Sequence, residues 1–143
     1  MKPQITIIGA GLTGCFLAIL MAKKGHQVSI YEKLSQANSP QDSTKSFSLT
    51  FYAYGVKALK QAGLWDNIKP LTIPLKGSIT QLSNRKEPII SGFGIPYYSI
   101  SRSQLLQVLI KKAKQNPLIS FHFGTSLSGV SRQERTITIQ NIR

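Results

Sequence analysis

Residues 4–33 read QITIIGAGLTGCFLAILMAKKGHQVSIYEK, and the fold turns on how they are parsed. Gln4–Ile8 is a short β-branched run stopped by a glycine, which reads as a buried parallel strand. From Gly11 to Lys24 the apolar residues Leu12, Cys15, Phe16, Ile19 and Leu20 recur at helical spacing, with Ala18 and Ala22 between them. Lys23 and Lys24 fall in the last turn, where they suit the helix dipole, and Gly25 is a natural terminator. Gln27–Tyr31 (QVSIY) is a second strand. Strand, helix and strand within about 30 residues make a βαβ unit.

The turn inside that unit is Gly9-Ala10-Gly11-Leu12-Thr13-Gly14, a GxGxxG motif. Such a hexamer is informative only when it follows a strand and opens a helix, as it does here. Gly9 permits the tight turn, Gly11 lets a pyrophosphate approach the backbone, and Gly14 allows the helix to pack closely on the strand. The free N–H groups at the helix start then face the phosphates. Glu32 ends the second strand roughly 20 residues further on, where an acid accepts hydrogen bonds from ribose hydroxyls. A carboxylate there also repels a 2′-phosphate, so the expected dinucleotide is FAD or NAD rather than NADP.

Outward from this unit the pattern is less regular. Lys33–Lys45 is polar and reads as an exposed loop. A helix is expected over Tyr54–Gln61, ended by Gly63. Leu71–Ile100 is interrupted by Pro74, Pro88, Pro96, Gly92 and Gly94 and reads as short strands and turns. Ser101 or Ser103 can cap a helix that runs to Lys114 on a stripe of Leu105, Leu106, Leu109 and Ile110. Ile119–Phe123 alternates as a strand, and Gln4–Ile8 is expected centrally in a parallel sheet beside Gln27–Tyr31. Leu127–Val130 and Thr136–Ile139 read as an antiparallel pair.

Composition narrows the function. The 143 residues are 41% hydrophobic and 16% charged, enough for one core and too apolar for a disordered polyelectrolyte. The single cysteine excludes an intramolecular disulfide framework, and two distant histidines suggest no metal cluster. The apolar run Ile5–Ala22 is broken by three glycines, with Lys2 alone in front and Lys23 and Lys24 behind, the reverse of a signal peptide's charge pattern, so a cytoplasmic protein without a membrane span is expected. Lys and Arg number 18 against five acids, a net charge of +13. That favours an anionic partner, or marks one part of a larger protein.

Three stretches carry a family resemblance: ITIIGAGLTGCFLAILMAKKGHQVSIYEK, KSFSLTFYAYGVKALKQAGLWDNI and YSISRSQLLQVLIKKAKQNPLISFHFGTSL. In order and spacing they resemble the FAD-dependent aromatic-ring monooxygenases, and among these the kynurenine 3-monooxygenase family. The resemblance implies an α/β, Rossmann-like FAD-binding fold with a parallel sheet and a small antiparallel β-meander, truncated relative to the family. It implies FAD contacts at Gly9, Gly11, Thr13, Gly14, Tyr31, Glu32, Lys33, Thr50, Arg102 and Leu127. NAD(P)H is the electron donor in the intact family and a small aromatic molecule its substrate. The family's Asp-Gly and Gly-Asp motifs and most of its substrate domain would fall beyond residue 143. Residues 1–143 therefore match the N-terminal part of such an enzyme, inactive at this length. The family's carboxylate-binding arginine and tyrosine are not matched: Ser78 stands at the first position, near Lys76, and no tyrosine lies within Ile90–Phe93. Tyr54 replaces another arginine of the family.

Arg102 has a reading of its own, because a cation at a helix start opposes the dipole unless it faces an anion or makes a planar contact. Cys15 reads as a small core residue, His122 as a packed or edge histidine, and Phe51, Tyr52 and Tyr54 as core aromatics. Lys111, Lys112 and Lys114 read as a solvated helix face. Two other functions fit parts of the sequence: a basic module for nucleic acid or acidic surfaces on a Rossmann core, and an NAD-dependent oxidoreductase. No specific nucleic-acid partner is expected. DNA binding by this chain should be weak, sequence-blind and lost between low salt and about 0.2 M salt. Mobility-shift titrations across a salt series check this, and tight retention of one sequence at the higher salt would select the nucleic-acid reading.

Overall fold

The computed structural model describes residues 4–35 and 47–142. They fall into two compact units, one drawn from residues 1–45 and 105–143, the other from residues 46–104.

The first unit holds β1 (Ile5–Ile8), α1 (Leu12–Lys23) and β2 (Val28–Glu32), the expected βαβ unit. β1 and β2 are parallel, with Ile5 opposite Val28 and Ile8 opposite Tyr31. β6 (Ile119–Phe123) lies parallel on the other side of β2, with Tyr31 opposite His122 and Glu32 opposite Phe123. The sheet order is thus β1-β2-β6, and β2, not β1, is the central strand among the described residues. This corrects the expected order. Burial gives the physical reason: Val28, Ser29 and Ile30 are all buried, whereas Ile7 is the one buried residue of β1.

α1 is apolar around most of its circumference, and it meets the sheet through small residues, with Cys15 and Ala18 fully buried and Ala22 nearly so. Small side chains let the helix approach closely, and Gly14 sets the limit. A Cβ at Gly14 would overlap the carbonyl oxygen of Gly9 and lie 3.3 Å from Ile7 Cγ2. α1 therefore covers the sheet face that carries Ile7 and its paired neighbour Ile30. The opposite face is polar in its lower half. There Gln4 Nε2 donates to Ser29 Oγ (3.0 Å), and the hydroxyls of Ser29 and Ser120 lie 3.1 Å apart.

α4 (Arg102–Lys114) belongs to this unit from Leu105 onward and buries Leu105, Leu109 and Ile110 of the expected stripe together with Ala113, whereas Leu106 is only half-buried. β7 (Thr125–Ser131) and β8 (Thr136–Asn141) form the expected antiparallel pair, longer than the sequence suggested, with a bulge between Leu127 and Gly129.

The second unit comprises β3 (Ser48–Phe51), α2 (Ala53–Ala62), α3 (Trp65–Ile68), a 3₁₀ turn at Lys69–Leu71, β4 (Ile73–Thr80) and β5 (Ile89–Ser101). α2 ends on Gly63 in the left-handed region (φ 73°), with Leu64 N–H donating to Leu59 O and Gly63 N–H to Lys60 O. Trp65 is the hub of this core, edge-on to Phe51 (6.4 Å) and to Tyr98 (5.0 Å), with Ile68 at the other end of α3 fully buried.

The antiparallel sheet runs β3-β5-β4. β4 and β5 span 8 and 13 residues, where the prolines and glycines had suggested short pieces. The reason lies in where those residues sit. β4 is an edge strand, so Pro74 need not donate to a second neighbour, and Pro96 falls where the register shifts. Tyr52 and Tyr54 are 58% and 86% exposed, so of the three aromatics near α2 only Phe51 packs inward. The expected loop Lys33–Lys45 lies outside the described residues beyond Ser35.

Gly14→Ala tests the close approach of α1. The new methyl forces helix and turn apart, at a cost of about 1–3 kcal/mol, typical of overpacking. Urea unfolding of both proteins measures it, and an unchanged midpoint would show that the turn yields freely.

Candidate functional site

The site forms at the carboxyl edge of the parallel sheet, where β1 and β2 end side by side. Gly9 sits at φ 98°, a conformation that side-chain-bearing residues rarely adopt, and its N–H donates to Tyr31 O at 2.7 Å. The β1–β2 ladder thereby extends into the turn. Ala10 follows, 1% exposed, and its N–H donates to Glu32 Oε2 at 2.7 Å. Glu32 Oε1 accepts from the N–H of Leu34 at 3.0 Å. One half-buried carboxylate thus ties the turn after β1 to the segment after β2. Glu32 and the glycine turn lie together, as the sequence required.

Gly11 is the N-cap of α1, with extended backbone and no side-chain cap, and no acid stands in the first helical turn. A helix leaves its first N–H groups without intrahelical acceptors. The first i→i−4 bond in α1 is Cys15 N–H to Gly11 O at 3.0 Å. The donors of the opening turn are therefore left to a ligand, and beyond Gly11 and its two chain neighbours nothing lies within 4 Å of where a Gly11 Cβ would stand. Positive dipole, uncapped donors and open space together suit an anion such as a diphosphate.

Thr13 lies exposed in the first turn of α1, and Lys33 is exposed beside Glu32. Tyr31 is half-buried on the sheet face away from α1, its ring stacked on His122 at 4.5 Å and 15°. Leu127 is 37% exposed on β7, next to the bulge. In the second unit Thr50 is exposed on β3, paired with Ser99. Arg102 opens α4 there; its guanidinium lies over the Phe47 ring at 5.9 Å, and its N–H donates to Phe47 O at 3.1 Å. The planar contact expected of an arginine at a helix start is present.

Cys15 donates its thiol to Ala10 O at 3.2 Å from a fully buried position. Burial, with the Glu32 carboxylate adding to it, pushes the thiol up to about 12. It is a protonated core residue rather than a nucleophile. Among the described residues no group of three or more His, Cys, Asp or Glu side chains could hold a metal. No helix there is long and apolar enough to cross a membrane. Two features escaped the sequence reading: Leu34 N–H as second donor to Glu32, and the pairing of Tyr31 with His122. The first left no signal in residue types, and the second is visible only once β2 and β6 are aligned.

Glu32→Ala strands the buried Ala10 N–H. It should lower the unfolding free energy by about 1–3 kcal/mol, the cost of one unsatisfied buried donor. Chemical denaturation checks this, and undiminished stability would show the clamp to be dispensable.

Residues 2–141 match the family model described as the FAD binding domain. Kynurenine 3-monooxygenase of Legionella pneumophila (strain Lens) is 32% identical over 144 residues, covering 96% of this chain and 32% of that protein. Its counterpart from Anopheles gambiae is 31% identical over 145 residues, covering 95% of this chain and 29% of that protein. The chain therefore spans about a third of the length of these curated relatives. Among solved structures, the tetrameric form of 2-methyl-3-hydroxypyridine-5-carboxylic acid oxygenase superposes with a TM-score of 0.78 at 18% identity, covering 96% of this chain and 37% of that one. The p-nitrophenol 4-monooxygenase of Pseudomonas putida does so with a TM-score of 0.76 at 14% identity, covering 95% and 35%. Matched by that family model from residue 2 to residue 141, the chain belongs to the FAD-binding domain family, and its cofactor is FAD.

Proposed function

We propose that the chain is the FAD-holding part of a flavin-dependent monooxygenase that acts on an aromatic ring. The observation that carries this is the uncapped, open glycine turn facing the Glu32 carboxylate. The printed names of the similar proteins support the reaction class, since kynurenine, nitrophenol and hydroxypyridine are all aromatic.

The residues present fit FAD. The space at Gly11 takes the diphosphate, within reach of the first-turn N–H groups that include Thr13 and Gly14. Each Glu32 oxygen already accepts one backbone N–H and keeps a lone pair for a ribose hydroxyl. That carboxylate disfavours a 2′-phosphate. Gly9 shapes the turn, while Tyr31, Lys33 and Leu127 serve the adenosine end. Thr50 and Arg102 are FAD contacts by the family resemblance alone, and Arg102 offers a planar cation for phosphate or ring.

Bound flavin supplies the passage of electrons from NAD(P)H to oxygen; the protein binds, orients and keeps water out. In this reading residues 1–143 are the N-terminal part of a FAD-binding monooxygenase domain, and a partner segment supplies the substrate domain. The chain alone is then inactive. Its substrate is a small aromatic molecule. A cytoplasmic setting accords with a single buried cysteine and no use of disulfides.

Calorimetric titration of the folded chain tests the cofactor assignment. FAD should bind more tightly than NADP, and the same protein given NAD(P)H should yield no hydroxylated product. Tighter NADP binding would overturn the role of Glu32, and coupled hydroxylation by the 143 residues would overturn the assignment as a part.

A further inference from the structure

His122 occupies a defined place in the site's geometry, opposite Tyr31 on β6. The strand order β1-β2-β6 sets three stations along the carboxyl edge, about 4.8 Å apart. The open turn at Gly11 stands beyond β1, and the Glu32 carboxylate stands at the end of β2. In an adenine nucleotide the ribose lies between phosphate and base. A diphosphate at the first station and a ribose at the second direct the base to the third, the end of β6.

Two rings close that strand. Phe123 is engaged on its own side of the sheet: Phe121 stacks on it at 5.4 Å and 11°, and Lys114 Nζ lies 5.3 Å from its centroid. His122 is exposed, and its ring is held parallel to Tyr31 at 4.5 Å. The surrounding backbone fixes that position. Tyr31 and His122 are in register across β2 and β6. Thr125 Oγ1 donates to His122 O at 2.6 Å, and Gly124 N–H donates to Leu34 O at 3.1 Å. The end of β6 is thus bound to the same segment whose Leu34 N–H holds Glu32. A flat ring, exposed and pre-oriented by a neighbour, is the kind of surface on which a base stacks without specific hydrogen bonds.

We propose that His122, stacked on Tyr31, is the platform for the adenine ring of FAD. The proposal rests on the FAD reading above and adds a residue to it. His122 here is a binding residue that orders the adenosine end; it takes no part in chemistry.

The test is calorimetry on the full chain with FAD, ADP and inorganic pyrophosphate as probes. His122→Ala should weaken FAD and ADP binding by about tenfold, as the loss of one base-stacking ring does. Pyrophosphate binding and the thermal midpoint should stay as in the parent protein. His122→Phe, which restores a ring, should recover FAD affinity. Equal FAD affinity in the parent chain and His122→Ala would overturn the proposal. So would an equal loss for pyrophosphate, or failure of the Phe variant to recover. A tenfold loss confined to Phe123→Ala would move the platform to the other side of β6. A parent chain that binds neither FAD nor ADP would overturn the cofactor-site reading itself, a result separable from all of these.

Discussion

A single carboxylate holds the ligand-facing edge together. Glu32 accepts N–H groups from Ala10, in the turn after β1, and from Leu34, in the segment after β2. Hydrogen bonds to an ionised acceptor are the stronger kind, and one of these donors is buried. The bond from Gly9 N–H to Tyr31 O continues the sheet ladder to the same spot. The turn is therefore shaped before any ligand arrives, and binding energy need not be spent on ordering it. With only five acids in the chain, this carboxylate is also the principal negative charge of the site.

Around that clamp the chain forgoes ordinary stabilising devices. A Ser or Asp N-cap on α1 would add about 1 kcal/mol, but its side chain would consume the donors that a diphosphate needs. Gly11 leaves them free. Gly9 accepts a left-handed backbone and Gly14 gives up a side chain so that the helix can sit against the turn. The tight packing of Cys15, Ala18 and Ala22 against the sheet compensates through burial. The second unit solves a different problem with different means, an aromatic core of Phe51, Trp65 and Tyr98 beneath an antiparallel sheet.

Much of this was legible in the residues, and for physical reasons. The first βαβ unit announces itself because strand, glycine turn and helix each have a local period, and α1 begins one residue after Gly11 and ends at Lys23. Ala10 and Glu32 come together because the turn after β1 and the end of β2 lie side by side in one parallel pair. Strand order has no such local code: β1 and β2 are similarly apolar, and of the two only β2 has a strand on each side among the described residues. The β4–β5 hairpin was misjudged because a proline's cost depends on whether its strand is at an edge, which is a tertiary fact. Tyr52 and Tyr54 went the same way. Their spacing fits a core, but Tyr52 at the N-cap and Tyr54 in the first turn of α2 are both exposed. The Tyr31–His122 stack needed the alignment of β2 with β6, elements far apart in the chain.

The burial of Cys15 has a practical consequence. Alkylating reagents attack thiolates, and this thiol is enclosed, hydrogen-bonded to Ala10 O and pushed up to about 12. Modification must therefore wait until α1 parts from the glycine turn. Since the chain has no second cysteine, the labelling rate becomes a clock for that opening alone, read without any introduced probe.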